Sequence, residues 1–412
     1  MKWLLVWSLV LINYFPLKCQ DQVLGFVLPE GKKKVTIPFQ FSNNLIIIPV
    51  LFNGQIPLKF ILDTGVRTTL LTDKSIADIL ALPFTRRYTV SGPGGEKLIS
   101  ALITNNIALE IPPAISGRGH SVLVLEEDYL QLKSQIGFEV HGILGYELFS
   151  RFIIKINYEK NELTFIAPEY FKKPRSYESI PMTVEDTKPY VTATCRLADG
   201  QSTSLKLMVD TGASHSLLLD PNSSPEIRIP ERNIQGIIGR GLGGDITGKI
   251  GRLESLQLGK FMLRHPVVNF PDPEVYTDSI RGTDIFRNGT LGGEALNRFT
   301  VIFDYSHETL YVKKNLSYRS PFQFNMSGLT VEARGPRLRS YVITDVRKGS
   351  SGEVAGLKKD DKILSLKGIQ AENFSLTEIN LLLNAREGRK LPIEINRDGA
   401  RLKIRMQLKN DI

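Results

Sequence analysis

Residues Phe60–Leu71 read FILDTGVRTTLL, and Leu207–Leu218 read LMVDTGASHSLL. The second stretch is displaced from the first by 147 residues, and the same displacement relates much of what surrounds them. Gly142-Ile143-Leu144-Gly145 falls on Gly289-Thr290-Leu291-Gly292, Glu147 on Glu294, Arg151 on Arg298, Phe152 on Phe299 and Tyr158 on Tyr305. Gly92 and Gly94 fall on Gly239 and Gly241. One Asp-Thr-Gly tripeptide is a weak signal, because short motifs recur by chance. Two copies, each 82 residues ahead of the glycine of a Leu-Gly pair, are a duplication. The period is far longer than that of a solenoid repeat, so it indicates two lobes rather than a stacked array.

Each copy reads as β-rich. Ile46–Val50 predicts a strand entering an Asn53-Gly54 turn, and Pro57–Leu62 resumes as a strand. Phe152–Ile156 and Glu162–Ile166 predict a second hairpin, with Phe299–Phe303 and Thr309–Val312 as its counterpart. Short helices fit after each Gly pair and at Asp73–Leu80. Pro168–Pro181, rich in Lys, Pro and Tyr, reads as the link between lobes, and a second link falls near Lys314–Pro321.

The duplication permits a particular chemistry. Each lobe contributes one aspartate, Asp63 or Asp210, at a strand end followed by Thr and Gly. Glycine lets the backbone turn sharply, and a buried Thr hydroxyl can tie the loop down. A pseudo-two-fold pairing of the lobes would set the carboxylates side by side, where they share one proton and titrate as a pair. The charged member can then activate a water while the protonated member polarises a peptide carbonyl.

These residues resemble the aspartic proteases, of both the retropepsin and pepsin-like kinds. The match rests on Leu62–Gly65 and Val209–Gly212 and on the later Leu144-Gly145 and Leu291-Gly292, and covers roughly residues 35–315. The resemblance implies that Asp63 and Asp210 are the catalytic dyad. It implies that Thr64 and Thr211 interlock beneath them, and that Gly65 and Gly212 supply backbone amides. It needs no metal or other cofactor, and with both motifs in one chain a monomer suffices. Two departures stand out. Val66 has no hydroxyl where pepsin-like enzymes often bond an aspartate, and Arg67 follows it, expected to point away from the dyad because an apolar run comes next. Tyr88–Leu98 and Gly236–Ile246 are Gly-containing candidate flaps.

Residues from about Met326 to Leu408 lie outside the repeat. Tyr341–Val346 predicts a strand, and Ala355-Gly356-Leu357 a turn. Ile363–Leu366 predicts another strand and Leu376–Ala385 an amphipathic helix. Two strands, Leu391–Asn396 and Arg401–Leu408, follow, joined through Asp398-Gly399. This resembles a PDZ domain, with Asp360 in place of the usual glycine before Asp361. PDZ domains take extended peptides as an added strand. The resemblance places peptide binding near Arg334–Tyr341, with Arg339, Ser340, Tyr341 and Val342 as candidate contacts and Arg334 and Arg337 as further charges.

Composition bounds the alternatives. With 42% hydrophobic and 23% charged residues the chain is neither disordered nor fibrous. Two cysteines and five scattered histidines provide neither a disulfide framework nor metal-ligand spacing. The net charge of +9 comes from dispersed basic residues without a recognition motif, so nucleic acid is not an expected partner. Lys2 and the apolar run Trp3–Phe15 read as a secretory signal peptide ending near Cys19, and no later segment is apolar enough to span a bilayer. An exported protein, periplasmic or secreted, is expected, with a lipid anchor at Cys19 as the alternative.

The expectation is therefore a mostly β protein. It comprises a signal peptide (1–19), two lobes (35–168 and 178–316) of a bilobal pseudo-two-fold aspartic-protease β-barrel fold, and a small α+β PDZ domain (325–410). Its expected function is endopeptidase action on protein or peptide substrates, with a polypeptide ligand in the PDZ groove. A catalytically silent peptide-binding scaffold is the alternative, and a PDZ domain that gates the protease cleft is a third.

Overall fold

The computed structural model describes residues 24–90, 92, 94, 99–197, 200–274 and 285–412. The expected signal peptide, Cys19 included, lies outside the described residues, as does most of the tip of the first candidate flap. No helix among the described residues is long and apolar enough to cross a membrane.

Both lobes are built on the same crossing of strands. In the first, Leu45–Phe52 turns at Asn53-Gly54, both at positive φ, into Ile56–Leu62. Gly142–Leu144 then slides in parallel to Phe60–Leu62 and antiparallel to Leu70–Leu71. In the second, Gly289–Leu291 pairs in parallel with Leu207–Val209 and antiparallel with Leu217–Leu219. The repeated glycines follow from this crowding. A Cβ at Gly142 would stand 2.3 Å from the Leu70 carbonyl oxygen, and one at Gly289 would stand 2.0 Å from that of Leu218. Neither distance is sterically accessible to any other residue.

The lobes are joined by one antiparallel sheet. Its strands run in the order Glu178–Glu185, Thr309–Lys314, Phe299–Asp304, Ile153–Asn157, Glu162–Ile166, Lys34–Pro38. The seam is the pairing of Ile153–Asn157 with Phe299–Asp304, in which Ile154 faces Phe303 and Asn157 faces Thr300. These two strands are copies of each other in the repeat, so the local two-fold axis passes between them. Above the seam Phe149 packs edge-on to Phe303 and stacks on Tyr305. The expected link Pro168–Pro181 is shorter than its composition suggested, because Glu178–Pro181 already pairs with Thr309–Val312. Its alternating buried side chains override the Pro and Tyr content.

The C-terminal module is a sheet in the order Leu329–Arg334, Ser340–Val346, Lys362–Leu366, Lys390–Arg397, Ala400–Gln407. The helix Leu376–Leu383 starts at a capping box made by Ser375 and Glu378 and buries Leu376, Ile379 and Leu383. Asp398 and Gly399 both have positive φ, as a two-residue hairpin turn requires. Asp360 sits at φ +71, which explains why a glycine is usual there. Next to it, fully buried Asp361 takes two hydrogen bonds of 2.7 Å from Arg397.

The module is fastened to the second lobe through residues 315–325. Arg298 stacks on the Phe322 ring at 3.5 Å and donates to the carbonyls of Ser320 and Pro321. Glu294, 3.7 Å from Arg298, accepts from the Gln323 amide at 2.7 Å. Burial raises the Glu294 carboxyl and lowers Arg298 to about 10, and the charge of each acts against that shift in the other.

Candidate active site

The crossed strands deliver the two Asp-Thr-Gly loops to the centre of the interlobe cleft. The Asp63 amide donates to Leu144 O at 2.9 Å, and the Asp210 amide to Leu291 O at 2.9 Å. Gly145 and Gly292 pass directly beneath. A Cβ on either would come within 2.0 Å of Asp63 O or 2.2 Å of His215 O. Within each loop the glycine amide turns back to the aspartate. Gly65 N–H donates to Asp63 Oδ1 at 2.6 Å, and Gly212 N–H to Asp210 Oδ1 at 2.8 Å.

Thr64 and Thr211 are buried under the loops and reach across the two-fold axis. Thr64 Oγ1 donates to Val209 O at 2.7 Å and Thr211 Oγ1 donates to Leu62 O at 2.8 Å. The two carboxyls face each other above them. A Cβ on Gly212 would lie 2.2 Å from Asp63 Cγ, and one on Gly65 3.3 Å from Asp210 Oδ2. The Asp63 carboxyl is held well above the usual range, first by burial at the cleft floor and then by the charge of Asp210. Lys188 acts the other way on Asp63, more weakly. Tyr305 is buried beneath, its hydroxyl pushed up by burial and then by Asp63 and Asp210.

The departures from the family pattern resolve differently. Val66 lines the cleft beside Asp63 as an apolar contact. Arg67 points away from the dyad, its side chain 70% exposed and paired with Asp186 at 3.3 Å. Two basic residues that carry no sequence signal do reach the site. Lys188, lowered by burial and by Arg287, feels both aspartates, and Arg287 lines the cleft with one guanidinium nitrogen on Met208 Sδ at 2.9 Å. Lys188 follows a turn in which Asp186 and Thr187 both have positive φ, a conformation their residue types do not announce.

The second candidate flap is a hairpin, Asn233–Gly241 with Gly244–Arg252, bulged between Ile237 and Gly239. In the first lobe Arg86–Val90 pairs with Ile99–Ile103. Gly94 meets the turn of the second hairpin, where a Cβ on it would collide with the Gly244 backbone at 2.2 Å. Below lies a cavity of about 920 Å³. Its floor includes Asp63 and Asp210, and one wall is Thr330, Val331 and Glu332 of the C-terminal module.

The expected peptide contacts of that module are corrected by the sheet order. Arg339, Ser340, Tyr341 and Val342 belong to or adjoin Ser340–Val346, which is paired on both sides and has no free edge. Tyr341 is fully buried, its hydroxyl donating to Phe374 O at 2.6 Å, and Arg339 bonds the same carbonyl. The outer strand is Leu329–Arg334, and the helix Leu376–Leu383 contacts it. The side chains of Leu329–Arg334 alternate between buried and more exposed, a strand signal readable in the sequence.

The aspartyl protease family model matches residues 48–148 and again 193–294, and the PDZ family model matches residues 319–396. The chain carries two aspartyl-protease-family repeats followed by a PDZ domain. Among solved structures the chain is similar to an aspartic proteinase from Irpex lacteus, at 13% identity and a TM-score of 0.42. That match covers 70% of this chain and 99% of the other. Basic 7S globulin from soybean matches at 10% identity and a TM-score of 0.39, over 70% of this chain and 97% of the other. A retropepsin-like aspartic protease from Rickettsia conorii matches at 22% identity and a TM-score of 0.23, over 32% of this chain and 89% of the other. No curated protein matches the sequence.

Proposed function

We propose that the chain is an aspartic endopeptidase whose water is activated between Asp63 and Asp210. The observation that carries this reading is the facing pair of carboxyls, with Asp63 held above the usual range by burial and by its partner. One shared proton leaves a carboxylate to take a proton from water and a carboxyl to donate one to the peptide carbonyl oxygen. The resulting gem-diol collapses as the amine leaves with a proton from the pair. Thr64, Thr211, Gly65 and Gly212 position the carboxyls. An extended polypeptide would lie in the cleft under the two hairpins, and the PDZ domain would recruit it. The apolar leader supports export, to the periplasm or outside the cell, after removal of residues 1–19.

One observation favours the silent, peptide-binding alternative. The positive charge of Lys188 acts to draw the shared proton off Asp63. Incubating the full chain with denatured protein from acid to neutral pH, with and without a pepstatin-type inhibitor, separates the two. Inhibitor-sensitive fragments support the endopeptidase; intact substrate at every pH supports the scaffold.

A further inference from the structure

Three parts of the chain converge on Arg240, near the tip of the second-lobe flap. Its Nε donates to Asp245 Oδ1 at 2.6 Å across the hairpin. Its Nη1 donates to Gln131 Oε1, just ahead of the first-lobe helix Leu132–Ile136, and stands 3.9 Å from Glu332 Oε1 on the PDZ edge strand. With the amide of Gln135 oriented to suit its surroundings, Gln135 Oε1 also accepts from Arg240 at 3.3 Å. Both partners are largely shielded, with side chains 21% and 12% exposed for Arg240 and Glu332, so the charge pairing is only partly screened.

The helix Leu132–Ile136, with Gln131 at its start, is seated on the PDZ domain. It packs against the edge strand Leu329–Arg334, and a Cβ on Gly137 at its end would stand 2.6 Å from Leu376 Cβ. Nearby, Ser42 Oγ and Thr377 Oγ1 share a hydrogen bond of 2.9 Å, and Asn43 Nδ2 donates to Gln135 O. The helix thus covers the approach to the strand edge that a guest peptide would use. A guest antiparallel to that edge would leave its C-terminus at Leu329. There the Gly328 amide already donates to Asn325 Oδ1 at 3.0 Å and the Leu329 amide to Ser327 Oγ at 3.1 Å. The amides that would capture a terminal carboxylate are used, so the edge suits an internal extended segment.

We propose that Arg240 is a latch. The helix on the PDZ edge, together with Glu332, holds the second-lobe flap down over the dyad. An internal polypeptide segment adding to Leu329–Arg334 displaces the helix and releases the flap. The gating consequence rests on the endopeptidase reading; the latch itself does not.

Hydrogen–deuterium exchange on the full chain tests it. Glu332→Ala and Gln131→Ala should each speed exchange of amides in Gly236–Ile246 roughly three- to tenfold, with the Lys390–Gln407 hairpin unchanged. Unaltered exchange in the flap in both variants overturns the latch. Reduced, carboxymethylated α-lactalbumin, added to the Asp210→Asn chain as an unfolded probe, should slow exchange in Leu329–Arg334 and speed it in Leu132–Ile136. A slowed edge with an unchanged helix, or no change at the edge, overturns the displacement. If the wild type cleaves nothing, the endopeptidase reading fails while the exchange result stands.

Discussion

Thr64 and Thr211 each donate their backbone amide to the other's side-chain hydroxyl, at 3.1 and 3.0 Å. Each hydroxyl then donates to the carbonyl that precedes the opposite aspartate. The position of either carboxyl is therefore set by the other lobe. Thr211→Val keeps the shape but leaves the Thr64 amide and the Leu62 carbonyl unpaired in a buried site. It should cost about 2–4 kcal/mol in urea denaturation, with Thr211→Ser retaining most of the stability.

The loop glycines differ in how closely they approach the acids. A Cβ on Gly212 would lie 2.2 Å from Asp63 Cγ, whereas one on Gly65 would lie 3.1 Å from Asp63 Oδ1. Gly212→Ala should displace Asp63 and abolish peptide cleavage with the far-UV circular dichroism unchanged. Gly65→Ala should leave measurable activity.

Burial and Asp210 hold Asp63 above its usual range, so the folded state favours its protonated form. That contribution is full in acid, below the unfolded carboxyl range, and is lost as pH rises through the elevated value. Asp63→Asn removes the titration. Thermal denaturation from pH 3 to 8 should show the variant gaining stability relative to wild type as pH rises. Parallel profiles would count against the raised carboxyl.

The docking of the PDZ domain depends on Arg298. Arg298→Ala would leave Glu294 buried without its cation and free the carbonyls of Ser320 and Pro321. Breaking such a pair costs about 3–5 kcal/mol. Limited trypsin digestion should then cut within residues 315–325 before either module is degraded.

Much of this arrangement was legible in the sequence, because the duplication wrote it twice. Gly142 and Gly289 are glycine for the same steric reason, so their recurrence marked the strand crossing before any fold was known. The Asp398-Gly399 turn is likewise a local fact that residue type discloses. The expected peptide contacts fall one strand inward of the edge strand Leu329–Arg334, because a motif shows which residues recur and not which edge stays unpaired. Lys188, Arg287 and Arg240 were invisible for a related reason. Their roles arise from turns and lobes that meet only in three dimensions.

In the proposed mechanism Asp63 and Asp210 act as one unit on a peptide bond. The most direct measurement compares cleavage of denatured protein by the wild-type chain and by Asp210→Asn across acid to neutral pH. A shared dyad yields fragments from the wild type and none above background from the variant, with both equally folded. Cleavage that persists in Asp210→Asn would contradict it.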